Sequence, residues 1–292
     1  MDPIDQARRR LQRQVRQTLS GTNAPPTWAD AEDDGLFGED SATWIVHADS
    51  AMLVGGIRAL FYQLLHPRAM AGVADHSDYE HDPLGRLHRT AGFLGTTTFG
   101  PSAEATQAIA AVRAIHDRVV GTTPDGEPYE ANDPRLLAWV HATEVDSFLL
   151  AFQTYGQVRL APDEADQYVA EMGTIAEGLG LADPPRSTAE LDALLTDFRP
   201  EMAAGQQAKE ALRFLLAPPL PLPAKGPYAV LTGAALGLLP TDARKMLGLP
   251  RAPLVGELVV KPAATALVKV IGWALTAPDD DPESTQSERA PT

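Results

Sequence analysis

"DPRLLAWVHATEVDSFLLAFQTYG", residues 133–156, fixes the fold class. Asp133 followed by Pro134 is a cap and a first-turn proline, both signals for a helix start. Leu137, Val140, Phe148 and Leu149 then mark an apolar face, and His141 sits on or beside it with Glu144 and Asp146 following. No strand alternation competes with this helical spacing. Working outward, the same punctuation recurs. "DSAMLVGGIRALFYQLLHPRAMAGVADHS" from Asp49 reads as a long buried helix interrupted before Pro67. Asp82-Pro83 introduces "LGRLHRTAGFLGTTTFG", residues 84–100, and Ser102 opens a helix expected to run to an exit at Gly121. Further helices are expected at 162–179, 187–197, 199–216, 226–238, 240–247 and 254–276. Only the link around Asp125-Gly126 reads as a small hairpin.

The expected architecture is all-α: a single-domain helical bundle over residues 25–277, with an Arg-rich helical arm at 1–24 and a disordered acidic tail at 278–292. Trp28, Leu36 and Phe37 are candidate anchors in the connector after the arm, and the Pro-rich run 217–227 is expected to be a bend within the domain. At 292 residues, 44% apolar and 22% charged, the chain can bury its core without staples. It has no cysteine, which removes disulfides, thiolate metal ligands, iron–sulfur clusters and a cysteine nucleophile.

A formal charge of −15 argues against a nucleic-acid partner or an anionic membrane, a local basic patch excepted. The apolar run Leu254 to Leu275 is broken by Glu257, Lys261, Pro262 and Lys269, so no transmembrane segment is expected. The basic residues near the N-terminus precede no apolar stretch, which makes the cytoplasm the expected location. No GxSxG, GxxxxGK[ST] or strand-linked GxGxxG pattern is present. The glycines in "LVGGIR" and "LTGAALG" sit in apolar helical runs and read as close-packing positions.

On a helix through 84–95, Leu84, Leu87, Ala91 and Leu94 share one side, and Arg86, Arg89, Thr90 and Phe93 share another. Two guanidinium forks beside a hydroxyl suit an anion: a carboxylate, a phosphate or a heme propionate. Pairing with acids from the 30–40 or 75–82 segments is the competing reading. His88 falls between the faces.

In the next helix Ile109, Val112, Ile115 and Val119 mark the apolar side and turn His116 inward, as a satisfied core histidine or as an axial ligand. His141, with Glu144 or Asp146 near it, is compatible with a non-heme metal site but lacks HExxH spacing. His66 before Pro67 reads as structural capping. His47, His76 and His81 lie in polar connectors and receive no role.

"QLLHPRAMAGVADHS", "DPLGRLHRTAGFLGTTTFG" and "VRAIHDRVVGTTPDGEPYEANDPRLLAWVHATEVDSFLLAFQTYG", in this order, resemble the catalytic domain of the latex-clearing rubber oxygenases and the related MpaB-type oxygenases. The resemblance extends from about residue 44 to 275. It implies a globin-like core around a b-type heme iron, with His116 as the axial ligand and metal-binding residue, and Arg86 and Thr90 on the distal side. Arg89 stands where the rubber oxygenases carry a lysine. A guanidinium does not lose its proton to coordinate iron, so Arg89 is expected to act electrostatically. The implied activity is a heme-dependent oxygenase taking O2 and an apolar small molecule such as an alkene. The alternatives are a cofactor-free binding or scaffold protein of the same fold, and a non-heme metal enzyme using His141.

Overall fold

The computed structural model describes residues 3–21, 33–79, 81–250 and 255–276. The proposed tail 278–292 and the anchor Trp28 lie outside the described residues. The order is α1 (Pro3–Ser20), α2 (Ala42–Ala48), α3 (Met52–Gln63), α4 (Pro67–His76), α5 (Pro83–Phe99), α6 (Ser102–His116), β1 (Val120–Thr122), β2 (Pro128–Glu130), α7 (Pro134–Tyr155), α8 (Pro162–Leu179), α9 (Thr188–Asp197), α10 (Gln206–Leu216), α11 (Leu222–Leu238), α12 (Thr241–Met246) and α13 (Lys261–Leu275). The protein is predominantly all-α; its small sheet pairs Val120 with Glu130, Gly121 with Tyr129 and Thr122 with Pro128, turned by Gly126 at φ +93°.

The centre is α7 packed lengthwise on α3. Asp133 caps α7 by accepting from the Arg135 N–H at 2.8 Å, as its sequence position predicts. Thirteen of the 22 residues of α7 are buried, so the helix is enclosed on most sides rather than on one stripe. Gly55 sets the approach of α3: a Cβ there would lie 2.8 Å from Phe148 Cδ1 and 3.1 Å from Ser147 O. The main core around Phe61, Trp139, Phe152, Tyr168 and Phe198 joins α3, α7 and α8 to the segment after α9. A second core joins α3, α7, α11 and α13 through small residues such as Ala151, Ala234, Ala235 and Ala264.

Several boundaries differ from the sequence expectation. α6 ends at His116, not near Gly121, because the chain peels away to pair as β1. The expected helix 199–216 is broken into a 3₁₀ turn (Arg199–Glu201) and α10, with Gly205 at the N-cap of α10. Glu201 is held there by Arg135 and His66. α11 begins four residues before expected and tolerates Pro227 inside it. Residues 42–48, expected to be connector, form α2, capped by the Ser41 hydroxyl, which accepts from Trp44 N–H at 3.1 Å.

Ahead of α13, residues Gly256–Val260 form a π turn in which the Lys261 N–H reaches back to Gly256 O. Pro262 has no N–H to close the α-helical bond to Leu258, which favours this wider turn.

The arm helix α1 lies against α5 and α13. Arg8 Nε donates to Trp273 O at 2.8 Å, its Nη2 to Thr276 Oγ1 at 3.0 Å, and the buried Gln12 donates to Leu275 O at 3.4 Å. Phe37 is buried in the main core and Leu36 packs against it, the anchoring role their apolarity suggests.

Candidate functional site

α5 and α6 are joined by Gly100 and Pro101 alone, and α6 packs back along α5. Asp33 pins the turn: its carboxylate accepts from Ser102 N at 2.8 Å, Ser102 Oγ at 3.0 Å and Gly35 N at 3.0 Å, bonds that hold its pKa below the usual carboxylate value. At 1.5 Å per residue, Arg86 and His116 each lie roughly 20 Å from that turn, so the hairpin brings them to its same open end. A two-residue link thus aligns two residues thirty positions apart.

The expected polar face of α5 divides. Arg86 is half-buried and makes no ion pair among the described residues; desolvation lowers its pKa, with Tyr79 opposing and Arg89 reinforcing. Arg89 is exposed and its Nη1 lies 3.3 Å from Asp82 Oδ2. Here the expected pairing with the 75–82 acids is what the structure holds. Thr90 is exposed, with its hydroxyl donated to Arg86 O at 3.1 Å. Leu87, placed by spacing on the apolar side, is 37% exposed, because α1 rather than the core covers this end of α5; nothing is described of Leu84's side chain. His88 meets the arm, its Nε2 3.1 Å from Thr18 O.

His116, the last residue of α6, is half-buried. Its Nδ1 is buried without a hydrogen-bond partner, and so is Oδ1 of Asn132. Desolvation lowers the imidazole pKa, with Asn132 and then Asp117 opposing, so the ring is neutral near pH 7. The expected apolar side of α6 is incomplete: Ile115 is 50% exposed, the helix having only one more residue to present before the chain turns away.

His141 is also desolvated, to a pKa of about 4, with Arg186 adding to the effect, and its Nε2 has no partner. Glu144, one turn on, retains some surface, yet desolvation pushes its carboxyl up to about 7. Among the described residues no group of three or more histidines and carboxylates is placed to hold a metal ion, so His141 has no ligand set around it.

His66 stands at the N-cap of α4, where its carbonyl accepts from Met70 N–H, but its side chain makes no capping bond. It is buried against Trp139 and Phe198, with Nε2 3.2 Å from Glu201 Oε2. His76 meets Val120 O, and His81 pairs with Asp78 on the surface.

Sequence reasoning missed His47. It lies on α2 with Nδ1 2.7 Å from Thr98 Oγ1 of α5 and Nε2 3.2 Å from the Tyr168 hydroxyl of α8; burial drives its pKa to about 3. Burial, then Glu144 and Glu171, raise the Tyr168 phenol well above its usual pKa, which places Glu144 in the same polar interior. The apolar "TWIV" immediately before His47 was the signal that this segment is a buried helix.

The open end of the hairpin offers a desolvated imidazole on α6 whose Nδ1 has no hydrogen bond and, on α5, a guanidinium with no ion pair among the described residues; the polar interior of His47, Tyr168 and Glu144 lies instead toward Thr98 at the closed end. These donors fit a heme: an imidazole for the iron, as in histidine-ligated hemes, and a cation for a carboxylate or for charge developing on an oxygen. The family described as "ER-bound oxygenase mpaB/B'/Rubber oxygenase, catalytic domain" matches residues 44–277, and the chain belongs to it. Its activity class is therefore that of an oxygenase catalytic domain. No match was found among curated proteins or among solved structures.

Proposed function

We propose that this protein is a heme-dependent oxygenase that uses O2 on an apolar small molecule, an alkene included. The observation that carries the reading is His116: a desolvated imidazole whose Nδ1 is buried without a hydrogen bond, in the last turn of α6 at the same end of the α5–α6 hairpin as Arg86, which makes no ion pair among the described residues. Heme, when bound, supplies the redox chemistry that activates dioxygen.

The residues of the chain then have separate tasks. His116 would hold the group through a ring nitrogen, and Asn132, whose Oδ1 is likewise buried without a hydrogen bond, would orient the imidazole by accepting from Nδ1. Arg86, partly desolvated, would provide fixed positive charge to an anionic group of the cofactor or of the reacting molecule. Thr90, one turn from Arg86, supplies a hydroxyl that can rotate to donate elsewhere. Arg89, paired with Asp82, contributes electrostatically from the surface.

The test is a visible spectrum of protein expressed with heme precursor, repeated after dithionite and for His116→Ala. A Soret band lost in the variant supports the reading. A colourless wild-type protein that binds no heme when offered it overturns the reading in favour of a cofactor-free binding protein, and bound iron without a Soret band would return attention to His141.

A further inference from the structure

The side of α13 that faces away from the protein is apolar where a surface helix should be polar. Leu258 and Val259 in the π turn are 73% and 60% exposed, Ala263, Ala266 and Val270 continue the same face at helical spacing, and Trp273 ends it, 44% exposed with the Arg8 guanidinium of α1 over part of its ring. That stripe is about 22 Å long. The opposite face, with Ala264, Val268, Ile271 and Ala274, is buried against the protein. By length and composition Leu258–Leu275 could cross a bilayer, but a helix with one face seated on its own protein lies along a surface instead.

The surroundings of the stripe are basic in a chain whose net charge is −15. Lys261 and Lys269 are exposed on α13, and Lys225 is exposed on α11, which packs beside it; these are three of the five lysines in the sequence. α1, seated against α13, carries five arginines and one aspartate. At the C-terminal end of the stripe a cleft of about 460 Å³ is lined by Gln157, Lys269, Gly272, Trp273 and Thr276. Its lining side chains bring an ammonium, an amide and an indole, with the Thr276 hydroxyl already bonded to Arg8 and to Trp273 O, and among the described residues no carboxylate lines it. A donor-rich cleft beside an apolar stripe, with a tryptophan at the junction, fits a phosphate attached to acyl chains better than it fits a second copy of a strongly acidic protein.

We propose that the outward face of α13 lies in the surface of a bilayer containing anionic phospholipid, with a lipid phosphate held in the cleft by Lys269 and Gln157. The inference is independent of heme binding.

Co-sedimentation of the full chain with phosphatidylcholine vesicles, with and without phosphatidylglycerol, tests it. Wild-type protein is expected on the phosphatidylglycerol vesicles and to be released by high salt. Val270→Asp is expected to weaken binding to them about tenfold. Lys269→Glu is expected to weaken it about tenfold while leaving binding to phosphatidylcholine alone unchanged. Both substitutions are at exposed positions, and a melting curve identifies a variant that has failed to fold; Lys269→Glu then carries the test alone. Wild-type protein that stays in the supernatant, variants that bind as well as wild type, or a dimer in solution that Val270→Asp dissolves would each overturn the proposal, the last by making the face an interface between copies.

Discussion

Arg58 Nη1 lies 2.8 Å from Asp146 Oδ2 and 2.6 Å from Ser147 Oγ, inside the α3–α7 contact, while its Nε donates to Leu238 O of α11 at 3.0 Å. The arginine is 1% exposed, so this charge is fully withdrawn from water and ties three helices together. Removing one partner of a buried pair leaves the other uncompensated. Arg58→Ala is expected to cost about 3–5 kcal/mol in urea unfolding, and pairing Arg58→Met with Asp146→Leu to recover much of the loss. Equal destabilisation by the single and double variants would mean that packing, not charge, dominates here.

Gly55 and Gly56 make a controlled comparison on α3. A methyl at Gly55 meets Phe148 Cδ1 at 2.8 Å and Phe148 Cα at 3.0 Å, whereas one at Gly56 meets Phe148 Cε1 at 3.9 Å, an ordinary contact. Gly55→Ala should therefore destabilise by about 1–3 kcal/mol through overpacking. Gly56→Ala should be neutral or stabilising by up to about 1 kcal/mol, since helix propensity is its main effect. Melting temperatures of the two variants decide the matter; equal values would show that the helices can move apart.

The close packing at Gly55 was legible because glycine in an apolar helical run has few other uses. The caps at Asp82 and Asp133, the hairpin at Gly126 and the all-α class were legible for the same reason: each is a local preference that tertiary structure left undisturbed. What the sequence hid depended on distant partners. Whether Arg86 or Arg89 finds a carboxylate is decided by the position of Asp82, and His47 acquires its role from Thr98 and Tyr168, which are 51 and 121 residues away. The break at 201–205 depends on Arg135 and His66 drawing Glu201 aside. The partners of His116 and Arg86 were equally invisible, since a missing partner leaves no mark in a sequence.

Acid should loosen the interior through its histidines. His47 titrates near 3 and His141 near 4 in the folded protein, against 6.5 for each in an open chain. Below pH 6.5 the unfolded state binds more protons, so stability is full above that value and falls as pH drops, by up to about 1.4 kcal/mol per pH unit for each histidine. The His141 contribution ends near pH 4 and that of His47 near pH 3. His47→Gln should flatten the acid limb of a stability–pH curve down to pH 3; an unchanged slope would locate the acid sensitivity elsewhere.

Glu144 acts with the opposite sign. Its carboxyl titrates near 7 when folded and near 4.5 when unfolded, so between these values the folded state holds the extra proton and stability falls as pH rises. Glu144→Gln removes that proton uptake. The variant should gain on wild type from pH 4.5 to about 7 and hold a constant advantage above it. Parallel curves for the two proteins would mean that the carboxyl is hydrated rather than enclosed.

Arg86 and Arg89 should separate by their surroundings. Arg86 is a desolvated cation with no ion pair among the described residues, so its charge costs stability in the protein without a ligand, and Arg86→Gln should raise the melting temperature of the heme-free protein. If that charge is kept for an anionic group, the same substitution should weaken binding in a heme titration by about tenfold or more, a gain in stability against a loss in function. Arg89→Gln removes only an exposed pair with Asp82 and should leave the unfolding free energy within about 0.5 kcal/mol of wild type and heme binding near normal. Arg86→Gln that lowers stability without affecting heme would show a structural role for the guanidinium. Equal losses of heme from both variants would instead show that the charge of this helix face acts as a whole, through the field of both arginines rather than through one contact.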